Sequence, residues 1–260
     1  MPSASVPAGS EGPASYVISL RPVGGHGPVA RWAQRHGAVL IELSPWRIAH
    51  RDDARTRRIL ADALLAPVAV FTSPAAVAAA VALARLDASQ ALKLAVGAGT
   101  RAALTDAGVE TAEAPARQDS EGLLALPALA AGQVQGRAVG LVTAPGGRGR
   151  IAEVLAARGA RIVRADVYAR EPVPLALPAR AILRAAHGRL LLPVTSGEAL
   201  QRVLDTLPGD EADRLRSAHV IAASDRLAAL ASDLGFARVD CGRTPQPDAL
   251  LDRVAFSAPG

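Results

Sequence analysis

The chain contains a diverged internal repeat, and this repeat constrains its fold more than any other feature of the sequence. A strand-like run, a glycine-rich turn and a helix-like run end at Gly37 in the first copy and recur up to Gly159 in the second. Further along, FTSPAAV aligns with VTSGEAL and thereby places Ser73 over Ser196. A duplicated unit of this kind predicts two similar lobes, and we expect a ligand to bind in an active cleft between them.

Short aliphatic and β-branched runs alternate with longer helix-like stretches in both copies. This alternation is typical of α/β proteins with parallel sheets, because a helix carries the chain back between two parallel strands. The last strand of each copy is predicted at residues 109–112 and 238–241. The proline-containing segments 44–50 and 168–178 interrupt the alternation and favour extended backbone, so we expect them to link the two lobes.

The composition disfavours nucleic-acid binding. Only 3% of the residues are aromatic, too few for a surface on which single-stranded nucleic acid stacks, and the arginines form no basic stripe. The net charge is +5, and Lys93 is the only lysine. Arginine binds carboxylates and phosphates through two parallel hydrogen bonds, which indicates an anionic ligand, but codon bias in a GC-rich genome explains the arginine content equally well.

The sequence also argues against a disulfide framework, a metal site and a membrane span. Cys241 is the only cysteine, and the histidines show no metal-ligand spacing. Residues 1–14 have neither the basic nor the apolar part of a signal peptide, and we expect them to form a disordered tail. No apolar run is long enough for a transmembrane helix, so a cytoplasmic location is expected.

Hydroxyl side chains stand where predicted strands run into predicted helices. A hydroxyl that caps a helix beside unpaired N–H groups, at the carboxyl edge of a parallel sheet, forms a natural anion site. The candidates for substrate binding in this class are Thr72, Ser73, Thr100, Ser120, Thr195, Ser196 and Ser224. Taken singly, each of them is also explained as an ordinary structural cap, and this alternative stays open.

Two glycine-rich turns bring basic residues to the same edge. Arg21 lies beside the first turn, and Arg148 and Arg150 lie in or beside the second, which makes all three candidates for substrate binding. Neither turn has the GK[ST] sequence of a P-loop or the GxGxxG pattern of a dinucleotide site. The residues alone therefore predict a two-lobed α/β protein with a cleft for an anionic, carboxylate-rich ligand.

Eight segments in chain order resemble the uroporphyrinogen-III synthase family: SLRP, FTSPAAV, AVGAGTRAAL, DSEGLLAL, GGRGRIAEVLAARGA, VYAREP, TSGEALQRVL and ASDRLAALASDLGF. The resemblance runs from about Tyr16 to Val254. It implies two flavodoxin-like lobes joined by a two-stranded linker. It also implies an exchange that the repeat by itself does not reveal, in which residues 15–46 pack with 174–257 while residues 49–169 form the other lobe.

The resemblance further implies an enzyme of haem biosynthesis. Such a hydro-lyase converts hydroxymethylbilane to uroporphyrinogen III by inverting ring D, closing the macrocycle and releasing water, without a cofactor or a metal. The eight carboxylates of the substrate suit arginines and helix N-termini. A monomer is expected, with transient contact to hydroxymethylbilane synthase and no nucleic-acid or membrane partner. The alternative is a two-lobed binding or sensor protein that returns a small polyanion unchanged.

The family's functional tyrosine falls on Tyr168, where a phenol can hydrogen-bond the departing hydroxyl, so Tyr168 is the candidate catalytic residue. The alternative is that its ring only packs within the linker. The family's threonine in a GxxT loop falls on Thr100. The second lobe departs from that pattern with SDRL, in which Ser224 replaces the glycine and Leu227 replaces the threonine, so Ser224 is a substitute candidate.

Overall fold

The computed structural model describes residues 15–146, 149–244 and 246–255. In these residues the strands are, in chain order, β1 (Ser15–Ser19), β2 (Val39–Glu42), β3 (Trp46–His50), β4 (Val68–Phe71), β5 (Leu92–Ala95), β6 (Ala138–Thr143), β7 (Arg161–Asp166), β8 (Tyr168–Pro172), β9 (Arg189–Val194), β10 (His219–Ala222) and β11 (Arg238–Cys241). The α-helices are α1 (Gly27–Arg35), α2 (Ala54–Leu64), α3 (Pro74–Val81), α4 (Ala98–Asp106), α5 (Ser120–Leu124), α6 (Ala131–Val134), α7 (Arg150–Ala157), α8 (Leu177–Ala185), α9 (Gly197–Thr206), α10 (Gly209–Arg216), α11 (Asp225–Asp233) and α12 (Pro247–Ala255). The tail predicted for residues 1–14 lies outside the described residues.

The chain divides into two compact units, each built around a parallel sheet. Unit 1 holds the described residues up to Arg47 and those from Pro172 onward, and unit 2 holds Ile48–Glu171. The sheet of unit 1 has the order β11-β10-β9-β1-β2, and the sheet of unit 2 has the order β5-β4-β6-β7. Every pairing between neighbouring strands in both sheets is parallel, so the α/β fold class predicted from the alternation is confirmed.

The internal repeat explains why the two sheets have the same strand order. Strands β1 and β2 of the first copy correspond to β6 and β7 of the second, and β4 and β5 correspond to β9 and β10. Each sheet therefore takes its first two strands from one copy and its next two from the other. The duplicated halves have exchanged partners, so neither unit is a continuous copy of the repeat.

The prediction of a strand at residues 109–112 is wrong. These residues form a turn, and only Glu113 bridges to the parallel strand β5, at Leu94. The bridge consists of the bonds from the backbone N–H of Glu113 to Lys93 O (3.0 Å) and from that of Ala95 to Glu113 O (2.8 Å). Pro115 has no N–H to extend it. The counterpart β11 pairs with β10 over its full length, which gives unit 1 its additional edge strand.

Helices cover both faces of each sheet, as buried parallel strands require. In β4 the side chains alternate, because Ala69 and Phe71 belong to one apolar cluster of unit 2 and Val70 to the other. On the first face, helix α2 approaches β6 so closely that a Cβ atom at Gly140 would lie 2.2 Å from the backbone oxygen of Ala63. This contact requires glycine, and it fixes the helix against the strand.

The two segments that connect the units pair with each other. Strands β3 and β8 form a two-stranded sheet, and the backbone N–H of Arg51 extends the connection by donating to Val167 O at 2.9 Å. Both strands lie within the segments 44–50 and 168–178 that the sequence marks as linkers. The end of the second segment differs from the expectation, because Leu177 and Pro178 already open α8, where a proline fits the first helical turn.

Candidate functional site

A cavity of about 220 Å³ in unit 2 opens at the carboxyl ends of β4 and β6. The carboxyl edge of a parallel sheet is the usual place for a ligand in α/β proteins, because the loops that follow the strands converge there. The polar side chains that line the cavity are Thr72, Ser73, Ser120, Thr143, Arg150, Arg164, Tyr168 and Arg170. The cavity therefore combines hydroxyl groups with guanidinium groups.

Tyr168 and Ser73 form a hydrogen-bonded pair in the wall of this cavity. The phenol oxygen lies 3.1 Å from Ser73 Oγ, and either group can be the donor. Ser73 Oγ also accepts a bond from the backbone N–H of Ala76 (3.1 Å), which caps α3. The pair carries two O–H groups and uses only one between its members, so one O–H remains to donate to a ligand.

A second pair of hydroxyls has the same property. Thr72 donates through its Oγ1 to Thr143 Oγ1 at 2.9 Å, and the carbonyl of Val142 lies 3.4 Å from the same Thr72 oxygen. The Thr143 hydroxyl accepts this bond and retains its own proton. Because only 9% of Thr143 is exposed, that proton has few acceptors other than an oxygen of a ligand in the cavity.

The arginines of the cavity are held in place by their own partners. Arg164 donates through Nε to Asp166 Oδ1 (2.9 Å) and through Nη2 to Ala144 O (3.0 Å), so its guanidinium plane is fixed. Arg150 at the start of α7 donates through Nε to Glu121 Oε1 (3.0 Å) at the surface. A guanidinium oriented in this way can receive a carboxylate without losing further side-chain freedom.

The structure distributes the predicted site residues between a cavity in each unit and positions outside both cavities. Five predicted site residues line the cavity of unit 2: Thr72, Ser73, Ser120, Arg150 and Tyr168. A cavity of about 20 Å³ in unit 1 is lined by Arg21, Thr195 and Ser196. Neither cavity is lined by Thr100 or Ser224. Arg148 lies outside the described residues.

The predicted serine caps are present, but Thr100 is not a cap. Ser73, Ser196 and Ser224 accept bonds from the third residue beyond each of them, at the starts of α3, α9 and α11. Gly97 is instead the N-cap of helix α4, and Thr100 lies inside the helix, buried. The side chain of Gln118 replaces the missing cap by accepting from the backbone N–H of Ala98 at 3.2 Å. Ser120 is not a cap either, because it is the first residue of α5 and Asp119 caps that helix.

Three polar residues of the cavity were not predicted from the sequence: Thr143, Arg164 and Arg170. One signal was present for Thr143, because the repeat aligns it with Arg21, which was singled out. Arg164 lies in the strand sequence RIVRAD, where a charged residue normally indicates an exposed edge. Its register opposite Leu141 and its bond to Ala144 O turn it toward the cavity, and only the assembled sheet determines both.

In unit 1 a buried histidine holds the loop that carries Arg21. His26 lies between two serines, with Nδ1 2.8 Å from Ser19 Oγ and Nε2 2.8 Å from Ser44 Oγ. Burial lowers the pKa of His26; Glu42 nearby opposes the shift and Arg21 adds to it. Arg21 itself donates through Nε to Gly25 O at 2.7 Å. The network keeps the first glycine-rich turn in one conformation.

Two kinds of feature are absent from the described residues. In the ranges that the structure covers, no group of three or more histidine, cysteine, aspartate or glutamate side chains is placed to hold a metal ion. Within the same ranges, no helix has the length and apolar character needed to cross a bilayer.

Comparisons with known proteins point to a single family. The family model described as uroporphyrinogen-III synthase HemD matches residues 28–252. The uroporphyrinogen-III synthases of Escherichia coli K12 and Salmonella typhimurium LT2 are 32% and 33% identical to the chain over 136 residues, which is 52% of this chain and 54% of each relative. The matched part thus spans about half the length of these curated relatives.

Solved structures show the same fold. A mutant uroporphyrinogen III synthase from the extremely thermophilic bacterium Thermus thermophilus has a TM-score of 0.59 at 16% identity, over 93% of this chain and 98% of its own. Uroporphyrinogen-III synthetase from Helicobacter pylori 26695 has a TM-score of 0.60 at 15% identity, with the same coverage. At these identities the likeness concerns the fold, and it extends over nearly the whole chain.

Proposed function

The chain belongs to the uroporphyrinogen-III synthase family, and we propose that it catalyses the reaction for which the family is named. In that reaction hydroxymethylbilane loses water, its ring D is inverted, and the macrocycle closes as uroporphyrinogen III, which makes the protein a cyclising hydro-lyase. The observation that carries this proposal is the cavity of unit 2, where the hydrogen-bonded pair Tyr168–Ser73 lies beside fixed arginines. Such a site offers both a proton donor and counter-charges for carboxylates.

The cavity suits one portion of the substrate. Its volume of about 220 Å³ lies below the ~300 Å³ at which pockets begin to enclose a drug-sized ligand. A linear tetrapyrrole is larger than this, so the cavity would hold one pyrrole ring with its acidic side chains. Arg164 and the Thr143 hydroxyl are then placed to bind one of the carboxylates, because a charged acceptor strengthens both hydrogen bonds.

Tyr168 is the residue that donates a hydrogen bond to the leaving group. When the hydroxymethyl C–O bond breaks, the oxygen leaves with the bonding electron pair and departs as water once it is protonated. The phenol O–H donates a hydrogen bond to that oxygen, and Ser73 keeps the phenol in position. The positive charge that develops on the pyrrole is delocalised over its ring nitrogen, and formation of the ring-closing C–C bond releases the balancing proton.

We assign the acceleration to position and electrostatics rather than to a strong base. The side chains available in the cavity are hydroxyls and guanidiniums, which orient the substrate and stabilise charge but do not accept protons near neutral pH. Selectivity for the type III isomer then depends on holding the chain ends so that the methylene cation attacks the substituted α-carbon of ring D and forms a spiro intermediate. The bond from that carbon to the neighbouring methylene bridge then breaks, and the bridge rejoins ring D at its free α-carbon, which loses the balancing proton. The proposal includes a monomeric, cytoplasmic enzyme that receives its unstable substrate from hydroxymethylbilane synthase.

An isomer assay tests the proposal. Hydroxymethylbilane is generated in situ, the purified protein is added, the products are oxidised, and type I and type III uroporphyrins are separated. The unaided reaction gives type I, so type III above that background establishes ring inversion by this chain. If folded protein yields type I alone while it still binds the substrate, the chain is a polyanion-binding protein and the enzymatic proposal is wrong.

A further inference from the structure

A second cavity, of about 440 Å³, lies at the opposite edge of the sheet of unit 1 from the helix-capping serines. Its basic lining residues are Arg189, Arg214, His219 and Arg238. Arg189, His219 and Arg238 are the first residues of β9, β10 and β11. The cavity thus lies at the amino-terminal edge of three adjacent parallel strands of unit 1.

The strand register brings the basic side chains to one face. His219 pairs with Arg238 on one side and with Leu191 on the other, and paired residues of parallel strands point to the same face. Arg189 precedes Leu191 by two residues and therefore shares that face. Strands β9 and β11 flank β10 at about 4.8 Å on either side, and the three side chains line the same cavity.

The positive charge of this cavity is poorly compensated. In the described part of the chain, no ion pair involves Arg189, Arg214 or Arg238, and Arg214 donates only to the neutral acceptors Ser217 Oγ and Ala186 O. The lining residue that does contact a carboxylate is His219, whose Nε2 lies 2.8 Å from Asp240 Oδ2. The three guanidinium groups of the lining therefore have no carboxylate partner among the described residues.

Two nitrogen atoms of the lining residues are buried without a partner. They are Arg189 Nε and His219 Nδ1, and neither has a hydrogen bond to any described group. Folded proteins leave few buried polar atoms unpaired, because each one costs free energy, and such an atom often indicates an ion or water that belongs beside it. Both atoms belong to residues of the same cavity, which indicates that a ligand completes their environment.

We propose that this cavity binds a phosphate group, either as the free ion or as part of a small organic ester. A tetrahedral dianion offers several oxygen acceptors and two charges, which matches several converging guanidiniums better than one planar carboxylate does. The cavity volume exceeds that of a phosphate ion and leaves room for an organic portion. This site is distinct from the proposed catalytic cavity, which belongs to unit 2, and does not depend on the reaction assigned to it.

The corresponding edge of unit 2 provides a matched control. A cavity of about 750 Å³ lies there and is lined by Arg137 and Arg161 together with the carboxylate of Asp62. Arg161 is exposed and is the first residue of an edge strand, as Arg238 is. Neither Arg137 nor Arg161 has an orphaned buried atom. Arg161→Gln therefore removes a comparable charge without touching the proposed site.

The test is calorimetric titration of the full chain with inorganic phosphate at constant ionic strength, maintained with sodium chloride. We expect saturable binding of phosphate at one site of the wild-type chain. The affinity should fall at least tenfold in the double variant R189Q/R238Q and several-fold in R238Q alone. The affinity of R161Q should equal that of wild type. The R238Q variant changes an exposed residue, so it keeps the test informative if the double variant fails to fold. Type III formation should be unchanged in R238Q, which separates this proposal from the catalytic one.

A parallel titration with ribose 5-phosphate distinguishes the two sources of the phosphate group. Tighter binding of the ester than of the free ion assigns the site to a phosphorylated metabolite, and the reverse assigns it to inorganic phosphate. The proposal is overturned if phosphate produces no saturable heat, or if R161Q weakens binding as much as the double variant does. Either result would mean that phosphate acts on this basic protein only by screening its net positive charge.

Discussion

The phenol oxygen of Tyr168 lies 3.1 Å from Ser73 Oγ, and the same serine oxygen caps helix α3 through the backbone N–H of Ala76. One side chain therefore serves the stability of unit 2 and orients the proposed proton donor. The two roles are separable by experiment, because the tyrosine can lose its hydroxyl without disturbing the cap. The first two predictions use this separation.

Tyr168→Phe should lower the rate of type III formation by about a hundredfold, the range expected when a proton donor is removed. Its thermal unfolding should stay close to that of wild type, because the ring is buried and phenylalanine preserves its apolar contacts. Isomer analysis together with a thermal melt checks both parts. A wild-type rate would show that Tyr168 only packs in the linker.

Ser73→Ala should reduce both stability and turnover. Loss of the cap costs roughly 1 kcal/mol of unfolding free energy, and loss of the bond to Tyr168 releases the phenol. The matched control is Asp53→Ala, which removes the cap of α2, a bond from the backbone N–H of Thr56 at 2.9 Å, in the same unit. Urea unfolding and isomer assays should show that both variants are destabilised and that only Ser73→Ala loses activity beyond the unfolded fraction.

Thr143→Val should raise KM by about tenfold and change kcat little, if its hydroxyl binds a substrate carboxylate and contributes ~1–3 kcal/mol. Valine preserves the buried shape, and Thr72 can turn its proton to Val142 O. Thr105→Val is the control, because its hydroxyl bonds only to a backbone carbonyl on an exposed helix surface. An unchanged KM in Thr143→Val would exclude the threonine from substrate binding.

His26 should make stability depend on pH. Burial lowers its pKa below the ordinary 6.5, so as pH falls through 6.5 the unfolded chain takes up a proton that the folded chain does not. The contribution of His26 to the free energy of unfolding is therefore fully present above pH 6.5. It declines below that pH by at most about 1.4 kcal/mol per pH unit. Urea unfolding between pH 7.5 and 5.5 should show this decline, and His26→Gln should reduce the slope. Parallel curves for both proteins would contradict the prediction.

Gly140→Ala should destabilise unit 2 by about 1–3 kcal/mol, as overpacking does. The new Cβ would meet the backbone oxygen of Ala63 at 2.2 Å, and a backbone atom cannot move away as a side chain can. Gly132→Ala is the control, because no atom lies within 4 Å of its Cβ position; it should be neutral or slightly stabilising. Equal melting temperatures for the two variants would show that α2 is not held against β6 by this contact.

Local features of the fold were predictable because the residues that cause them are neighbours in the chain. Ser73, Ser196 and Ser224 each bond to an N–H three residues on, so a serine before a helix-like run is enough to predict the cap. The same rule fails at Thr100. There the helix begins at Ala98, whose backbone N–H donates to the side chain of Gln118, a residue of a different loop. That bond cannot be predicted from the residues that neighbour Ala98 in the chain.

The turn at residues 109–112 shows a second limit. Like the strand at 238–241, it follows the last pair of residues that the repeat aligns, which is Gly108 in the first copy and Gly235 in the second. Whether such a segment becomes a strand depends on how many backbone bonds the neighbouring strand can complete. The bridge at Glu113 does not continue back into residues 109–112, which turn away from β5, and Pro115 has no N–H with which to extend it forward. With one bridge alone, the cost of ordering further residues outweighs the gain.

By itself the sequence determined the α/β class, the duplication and the serine caps of three helices, because these follow from hydrophobic alternation and from contacts within a few residues. Tertiary structure alone decided which residues meet in the cavity of unit 2, where Thr143 and Arg164 join Tyr168. Likewise, the repeat did not reveal that its halves exchange partners. Pairing between strands distant in the chain is chosen by the total burial and hydrogen bonding of the assembled sheets, a quantity that no segment carries on its own.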